Sequence, residues 1–494
     1  MASSESDERK WVGLLCLLAA VHVLVFSAAF PFFNNVDEEA HFDLAVKYSH
    51  GQIPRAVEPL GAESMGYYVF YISQEYLWPP PPGRPFPPPM WTWPPEKAAP
   101  ILAARKAKWN DPNPEVSPPP LYYALAGFWW NAGKLCGFHG GFLLYWLRFL
   151  NLIFVAGLVW LGYAAARLIF PGERFLRLGV PALLAFLPQT AFYSIQTDVL
   201  SPVCFGAAYI LLVQLDRAET PGVRLGIAAG LALAATYLTK LSNLPLLMVS
   251  ALFIGWKIWR LNQAGKLRAT LPTLLALTVC AGLPIMGWLA WCKYDFGDFT
   301  GTAAKIQLLG WTHKPFGEWW QHPIFTPHGF GIFMGKLLAT FWQGEFLWHR
   351  QPLASPVVDA IYAMLSVSVI ALALAGLRPR CAAATEPQRR ALGFGGGCFI
   401  ASVAFLGFLS TIYDFHGCFY PSREHPYFTS GRLLLGGLIP FALLFVFGLD
   451  RALSRAKNCR LRPLALGGII LFMLVAEIAN DWPVFFSEYN WFHM

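Results

Sequence analysis

A segment close to the start of the chain combines side chains that could perform acid–base or metal chemistry. It reads Asn34-Asn-Val-Asp-Glu-Glu-Ala-His41 and follows the first long apolar run. If residues 37–48 begin a helix, Asp37 and His41 are four positions apart and share a face, with Glu38 one step round the helix. Carboxylates and a histidine in this arrangement could act as a general base, as metal ligands or as both.

The same spacing also has a structural interpretation. An Asn or Asp at the start of a helix caps free backbone N–H groups, and acidic residues behind it complement the helix dipole. The segment contains no HExxH zinc motif, and the single Glu38-x-x-His41 pair lacks the second copy that a di-iron bundle requires. The spacing alone leaves a helix cap and a functional site as equal alternatives.

The composition indicates where these residues must be positioned. Hydrophobic residues make up 56% of the 494 residues and charged residues only 13%, about half the charged fraction of soluble domains. The net charge of +8 does not indicate nucleic-acid binding, because the basic residues are spread between apolar runs rather than grouped in one patch. We therefore predict an all-α polytopic membrane protein whose surroundings are lipid.

The apolar runs are each about 18 to 25 residues long, enough to cross a hydrocarbon core about 30 Å thick as a helix. The first run is expected to remain uncleaved, because it is long and no small-residue cleavage site closes it. About eleven spans are predicted, at 11–30, 144–166, 179–196, 200–215, 223–240, 242–257, 271–291, 357–377, 391–412, 431–449 and 463–480.

Lysine and arginine residues are distributed asymmetrically between the ends of these spans. With a cytoplasmic N-terminus, the inner segments hold 20 of the 37 Lys and Arg residues. The short outer turns hold only Lys240, Arg423 and Arg432, and the C-terminal tail holds none. The positive-inside rule therefore predicts a cytoplasmic N-terminus and an extracytoplasmic C-terminus.

This orientation places the two long loops of the chain on the outer side. The first contains a proline- and tryptophan-rich segment that favours extended polyproline geometry. Tyr122 to Phe138 in the first loop and Gly331 to Trp348 in the second are predicted to be amphipathic surface helices. The predicted units are the N-terminus with the first span (1–30), the first loop (31–143), spans two to seven (144–291), the second loop (292–356), spans eight to eleven (357–480) and the tail (481–494).

Two cations are candidates for binding a phosphate group on the outer side. Lys240 and Arg432 lie at short outer turns, where a phosphate is a natural partner for either side chain. Alternatively they reach lipid phosphates or pair with Asp198 or Glu424. Asp198 is itself the only charged residue of its outer turn, and it could equally cap the following helix.

A set of short motifs follows one another along the chain. They are Asp37-Glu38 with His41, Ser117-Pro-Pro-Pro-Leu-Tyr-Tyr123, Arg148, Leu187-Pro-Gln189 with Thr197-Asp198, Leu238-Thr-Lys-Leu-Ser242, Thr340-Phe-Trp-Gln-Gly-Glu-Phe346, and Tyr427 with Gly431-Arg432. The order of these motifs resembles the GT-C superfamily of polytopic glycosyltransferases, and in particular a widespread bacterial family of predicted membrane proteins of unassigned function related to it. Ser117 departs from the superfamily pattern, which has a histidine before the prolines that follow.

The resemblance implies an inverting glycosyltransferase of the cell inner (cytoplasmic) membrane. Such an enzyme moves a sugar from a polyprenyl-phosphate donor to an extracytoplasmic acceptor, which would be an envelope glycan, a lipid or a protein. By resemblance, Asp37 is the general base that deprotonates the acceptor, and Glu38 assists it or neighbours a metal. Lys240 and Arg432 would bind the phosphate of the donor.

The resemblance also makes His41 and Asp198 candidate contacts to the acceptor or to a metal, with Mg²⁺ or Mn²⁺ as the expected ion if one is used. Two other functions remain open, a transporter or flippase of a lipid-linked envelope intermediate and a non-catalytic assembly protein. A transporter is expected to carry ionisable residues near the bilayer midplane and internal repeats. No repeat is evident, and among the spans only Glu477 departs clearly from the crowding of ionisable residues at span ends. The transferase is the favoured hypothesis.

Overall fold

A computed structural model describes residues 2–77, 82–108, 112–115, 117–378, 384–418, 420–454 and 460–494. Within these ranges, nine helices are long and apolar enough to cross a membrane, and the prediction of an all-α polytopic membrane protein is confirmed. Residues 78–81 of the predicted proline-rich segment lie outside the described residues. The nine helices are Ser6–Ala29, Gly140–Ile169, Thr197–Arg217, Leu241–Gln263, Leu267–Phe296, Pro356–Gly376, Glu386–Ile412, Gly431–Ala452 and Leu461–Phe485.

The α-helices, numbered in chain order, include the helices of the two long loops. They are α1 Ala2–Ala29, α2 Glu38–Ser49, α3 Ala62–Tyr71, α4 Gln74–Leu77, α5 Pro95–Lys108, α6 Leu121–Leu135, α7 Gly140–Arg148, α8 Leu150–Ile169, α9 Arg174–Ala185, α10 Ser201–Arg217, α11 Val223–Thr239, α12 Leu244–Gln263, α13 Leu267–Phe296, α14 Thr302–Leu308, α15 Pro327–Gln343, α16 Pro356–Gly376, α17 Glu386–Ile412, α18 Leu438–Ala452 and α19 Leu461–Phe485. Short 3-10 helices are Met90–Thr92, Thr190–Tyr193, Thr197–Val199, Leu241–Asn243, Phe316–Gln321, Pro323–Phe325, Gly431–Gly437 and Trp491–His493. The two-residue strands pair antiparallel, Thr312–His313 with Tyr413–Asp414 and Leu347–Trp348 with Gln351–Pro352.

The centre of the membrane bundle is α18. Every residue from Leu438 to Asp450 is buried, and α8, α9, α10, α16 and α17 pack around the helix. A helix that is apolar on all sides can take such a position, because none of its faces has to reach water. The 3-10 helix Gly431–Gly437 leads directly into α18, so the burial of α18 fixes the position of Arg432.

One predicted span has a different form from the one expected. The sequence predicts a helix over 179–196, but α9 ends at Ala185, and its 12 residues extend only about 18 Å. The chain continues through buried 3-10 turns, where the Gln189 amide donates to the carbonyls of Thr340 and Phe341 at 3.0 and 2.8 Å. Protein partners of this kind satisfy polar groups that are buried outside regular helices. The neighbouring α11, with 17 residues, is also shorter than the nine long helices.

Both predicted loop helices are present with shifted bounds. In the first loop, α6 packs against α2, and a Cβ on Gly127 would lie 2.7 Å from the backbone nitrogen of Ser49, so only glycine permits this approach. In the second loop, α15 begins four residues earlier than predicted, because the Thr326 hydroxyl accepts from the Gly329 N–H and caps the helix. The packing of α6 holds α2, which carries the acidic motif.

Candidate functional site

Asp37 occupies the N-cap position of α2 but does not act as a cap. Its backbone is in the left-handed region, with φ 62°, a conformation that costs a residue with a side chain roughly 1–2 kcal/mol. Its carboxylate makes no hydrogen bond to the helix and instead accepts from Arg432 Nη2 at 2.7 Å. Helix capping therefore does not account for the position of this side chain.

Arg432 joins carboxylates from three distant parts of the chain. Its guanidinium contacts Asp37, and it lies 3.9 Å from Asp198 Oδ2 and 3.6 Å from Glu345 Oε2. The Arg432 side chain is 12% exposed, so these pairs are only partly screened by solvent. Ser430 Oγ accepts a further hydrogen bond from Arg432 Nε at 3.2 Å. Arg432 is the centre of the charged cluster.

Lys240 extends this cluster on the side of the non-helical turn. Its ammonium donates to Asp198 Oδ2 at 2.6 Å, the pairing that the alternative interpretation of Lys240 predicted. Because the same carboxylate oxygen faces Arg432, consecutive contacts connect Asp37, Arg432, Asp198 and Lys240. Four of the six predicted site residues are therefore brought together in one cluster.

Glu38 is directed away from this cluster, although it follows Asp37 in the chain. It accepts from Arg148 Nε and Nη2, each at 2.7 Å, and from the backbone N–H groups of Phe33 at 2.9 Å and Ile195 at 3.0 Å. The side chains of Glu38 and Arg148 are 0% and 1% exposed. These contacts support a role in holding α2 on the membrane bundle, and they give no support to the predicted catalytic assistance by Glu38.

His41 lies beside Asp37 on one turn of α2, as the four-residue spacing predicts. Its Nδ1 forms a 2.7 Å hydrogen bond with the hydroxyl of Tyr123. Asp37, His41 and Glu115 each place one possible ligand atom within 4.8 Å of the other two. In the described part of the chain, these three side chains are the group that could hold a metal ion. Glu115 is also ion-paired with Lys305.

Burial and charge set different protonation states in neighbouring groups. Burial raises the pKa of Asp37, but the charges of Arg432 and Lys305 outweigh this effect and leave the pKa well below its usual range. Burial lowers the pKa of His41 to about 4, so the imidazole is neutral at pH 7. Burial, together with the Asp37 carboxylate, raises the pKa of Glu39 to about 8. Asp37 is thus the ionised carboxylate of α2 at this site.

Three residues of the cluster were not predicted as site residues. Glu345 lies inside the quoted motif Thr340 to Phe346, and Glu115 lies two residues before Ser117. The position of Glu345 inside a motif is a signal that the sequence contains, and Glu115 is close to one. Lys305 belongs to the second long loop and to none of these motifs, so no feature of the sequence indicates its role.

An apolar groove of about 730 Å³ lies between α15, α16, α17 and α18, the helix that follows the Arg432 turn. The helices on both sides of it lead to Arg432, since Gly431 N donates to Thr340 Oγ1 of α15 at 2.9 Å and α18 continues from the Arg432 turn. The groove is lined almost entirely by apolar side chains, among them Phe316, Trp320, Phe325, Phe330, Phe333, Leu338, Ile370, Phe399, Val403, Ala404, Gly407, Phe408 and Phe441.

The fold and the site together define a polytopic α-helical membrane protein with a partly buried cluster of carboxylates and cations where its long loops meet its helices. The chain belongs to the family described as Predicted membrane protein (DUF2142), whose model matches residues 20–409. That description states a class and assigns no activity. The chain matches none of the curated proteins compared with it. The predicted membership in a family of membrane proteins without an assigned function is confirmed.

Proposed function

We propose that this protein is an inverting glycosyltransferase that moves a sugar from a polyprenyl-phosphate donor to an extracytoplasmic acceptor, with Asp37 as the general base. One observation carries the proposal most directly. The carboxylate of Asp37 contacts Arg432, which is linked through Asp198 to Lys240, so a candidate base lies beside two candidate phosphate ligands. Transfer from a sugar phosphate requires a base and a phosphate site close enough for one sugar to lie between them.

In the proposed reaction, the acceptor hydroxyl oxygen attacks the anomeric carbon on the side opposite the phosphate. Asp37 takes the hydroxyl proton as the new carbon–oxygen bond forms. The bond between the anomeric carbon and the phosphate oxygen breaks, and its electron pair stays on the phosphate, where Arg432 and Lys240 neutralise the added charge. Attack opposite the leaving group inverts the configuration of the sugar.

Arg432 would also couple donor binding to the basicity of Asp37. Without a donor, the guanidinium holds the pKa of Asp37 low, so the carboxylate is a weak base. A donor phosphate competes for the same guanidinium and would draw it away from Asp37. The carboxylate would then gain basicity only when a donor is bound, which limits proton transfer to the loaded enzyme.

The apolar groove supports a lipid-linked donor. Arg432 and Phe441, which lines the groove, are nine residues apart on one continuous helical segment, and its 3-10 and α-helical parts together give a rise of about 16 Å. A polyprenyl chain in the groove would gain about 25 cal/mol for each Å² of apolar surface that it buries. Its phosphate would then lie toward Arg432.

The test of this proposal is the substitution Asp37→Asn, which removes the base and changes little volume. We expect transfer from a panel of radiolabelled polyprenyl-phosphate sugars in proteoliposomes to fall by about 10²- to 10⁴-fold. Asp414→Asn is the matched control, since this carboxylate pairs with Arg423 away from the cluster. Turnover near the wild-type rate in Asp37→Asn would exclude Asp37 as the base.

A flippase for a lipid-linked intermediate is the second candidate, and one observation favours it. Inside the spans, His22 Nε2 lies 2.8 Å from Glu477 Oε2, and the Tyr193 hydroxyl donates to the same carboxylate. Ionisable residues within spans often mark transport pathways. Movement of a fluorescent polyprenyl phosphate across liposomes that is lost in Glu477→Gln, but kept in Asp37→Asn, would support transport over transfer.

A further inference from the structure

The candidate base and two side chains beside it have the composition of a cation site. Asp37 and His41 are four residues apart on α2, and Glu115 approaches them from the segment before α6. One ligand atom from each lies within 4.8 Å of the other two. Ligands about 2.1 to 2.3 Å from a shared ion lie 3 to 4.5 Å apart, so small side-chain movements would bring all three into contact with one ion.

The orientation of His41 is an independent indication of a ligand. The side chain is 2% exposed, and its Nδ1 is held by the Tyr123 hydroxyl at 2.7 Å. Its Nε2 has no hydrogen-bond partner in the part of the chain that the structure describes. An imidazole whose second nitrogen is fixed by another group is the usual form of a metal-binding histidine.

The charge of the cluster also favours an added cation. The contacts join four carboxylates, those of Asp37, Glu115, Asp198 and Glu345, to only three cations, Lys240, Lys305 and Arg432. A divalent cation on these carboxylates would compete with Lys305 and Arg432 for them and would leave both cations freer to bind a phosphate.

We propose that Asp37, His41 and Glu115 form a binding site for a divalent cation and that this site prefers Mn²⁺ to Mg²⁺. Carboxylates suit Mg²⁺ and Mn²⁺ alike, but an imidazole ligand favours the transition metal. The catalytic part of this inference rests on the proposed transfer reaction. A cation at this position would bind the acceptor hydroxyl and polarise its O–H bond next to Asp37.

Lys305 provides a test that distinguishes a cation site from general damage to the cluster. Its ammonium pairs with Glu115, so it competes with an entering cation for that carboxylate. Lys305→Met should therefore tighten Mn²⁺ binding by about tenfold, the change that corresponds to about 1.4 kcal/mol. Damage to the fold would only weaken Mn²⁺ binding. Loss of a competing ammonium and damage to the fold therefore change the Mn²⁺ affinity in opposite directions.

The experiment uses the purified full-length protein in detergent, stripped of metal, with no donor or acceptor present. Mn²⁺ is titrated, and the free ion is measured by its electron paramagnetic resonance signal. We expect one site in the wild type, about tenfold or greater loss of affinity in His41→Ala and Glu115→Gln, and unchanged binding in Asp414→Asn. Pulsed measurements on the bound ion should show coupling to one ¹⁴N nucleus that disappears in His41→Ala.

A wild-type protein that binds no Mn²⁺ at one-site stoichiometry, or whose bound Mn²⁺ shows no nitrogen coupling, would overturn the cation site. Both measurements use the wild type, so they remain decisive if a variant fails to fold. Loss of transfer in Asp37→Asn, in a protein that binds no Mn²⁺, would leave the proposed function standing without the cation. Mn²⁺ binding with nitrogen coupling, in a protein without transferase activity, would support the site and reject the function.

Discussion

The assignment of Glu38 to positioning rather than catalysis predicts how Glu38→Gln will behave. The substitution removes the buried charge that compensates Arg148, and the new amide N–H₂ faces groups that are themselves donors. Breaking a buried ion pair by removing one partner costs about 3–5 kcal/mol. We expect a loss of this size, because both side chains are at most 1% exposed and solvent cannot compensate the charge that remains.

The assay is thermal unfolding in detergent, followed by the fluorescence of the chain's 20 tryptophans. Glu38→Gln should lower the unfolding temperature strongly, whereas Asp37→Asn should change it little, because Arg432 keeps Asp198 and Glu345 as partners. Adding Arg148→Met to Glu38→Gln should recover part of the loss, since the uncompensated charge is gone. Recovery will be incomplete because Arg148 also donates to the carbonyls of Ser27, Phe30 and Pro31.

One result would show that Glu38 has a catalytic role. If Glu38→Gln unfolds at the wild-type temperature and yet loses transfer from a polyprenyl-phosphate sugar, Glu38 acts in the chemistry and the positioning role is wrong. A variant that loses stability and activity together, with both partly restored by Arg148→Met, agrees with the structure. The pair of measurements separates the two roles of neighbouring residues in one motif.

Three further predictions concern the surroundings of the site. Gly431→Ala should lower the unfolding temperature and displace Arg432, because a Cβ would clash with the Phe341 backbone, whereas Gly468→Ala, with open space around it, should be neutral. Burial lowers the pKa of His322 to about 4, so the folded state resists protonation and the protein should lose stability as pH falls from about 6.5 to 4. The substitution His322→Gln should flatten this dependence of the unfolding temperature on pH. His328→Gln, at an exposed position, should leave the dependence unchanged. Ala404→Phe should narrow the apolar groove and raise the KM for a long polyprenyl donor without changing kcat, and equal kinetic constants would show that the groove does not hold the lipid.

Three properties follow from the sequence. They are the membrane class of the protein, the positions of most spans and the fact that Asp37 and His41 share one face of a helix. These properties depend on local quantities, namely the length of apolar runs and the helical period, which a linear sequence carries directly. The span predicted over 179–196 did not form as one helix, because Gln189 bonds to α15, a contact that no apolar count contains.

The partners of each charged residue were decided by the tertiary structure. Asp37 and Glu38 are adjacent in the chain, yet one carboxylate meets Arg432, 395 positions away, and the other meets Arg148, 110 positions away. Spacing in a motif determines which side chains share a helix face, but it does not determine which distant element packs against that face. The packing of α18 and of the non-helical turn before α10 places Asp37 in the charged cluster. It places Glu38 in the ion pair with Arg148, because a buried charge is stable only beside a counter-charge.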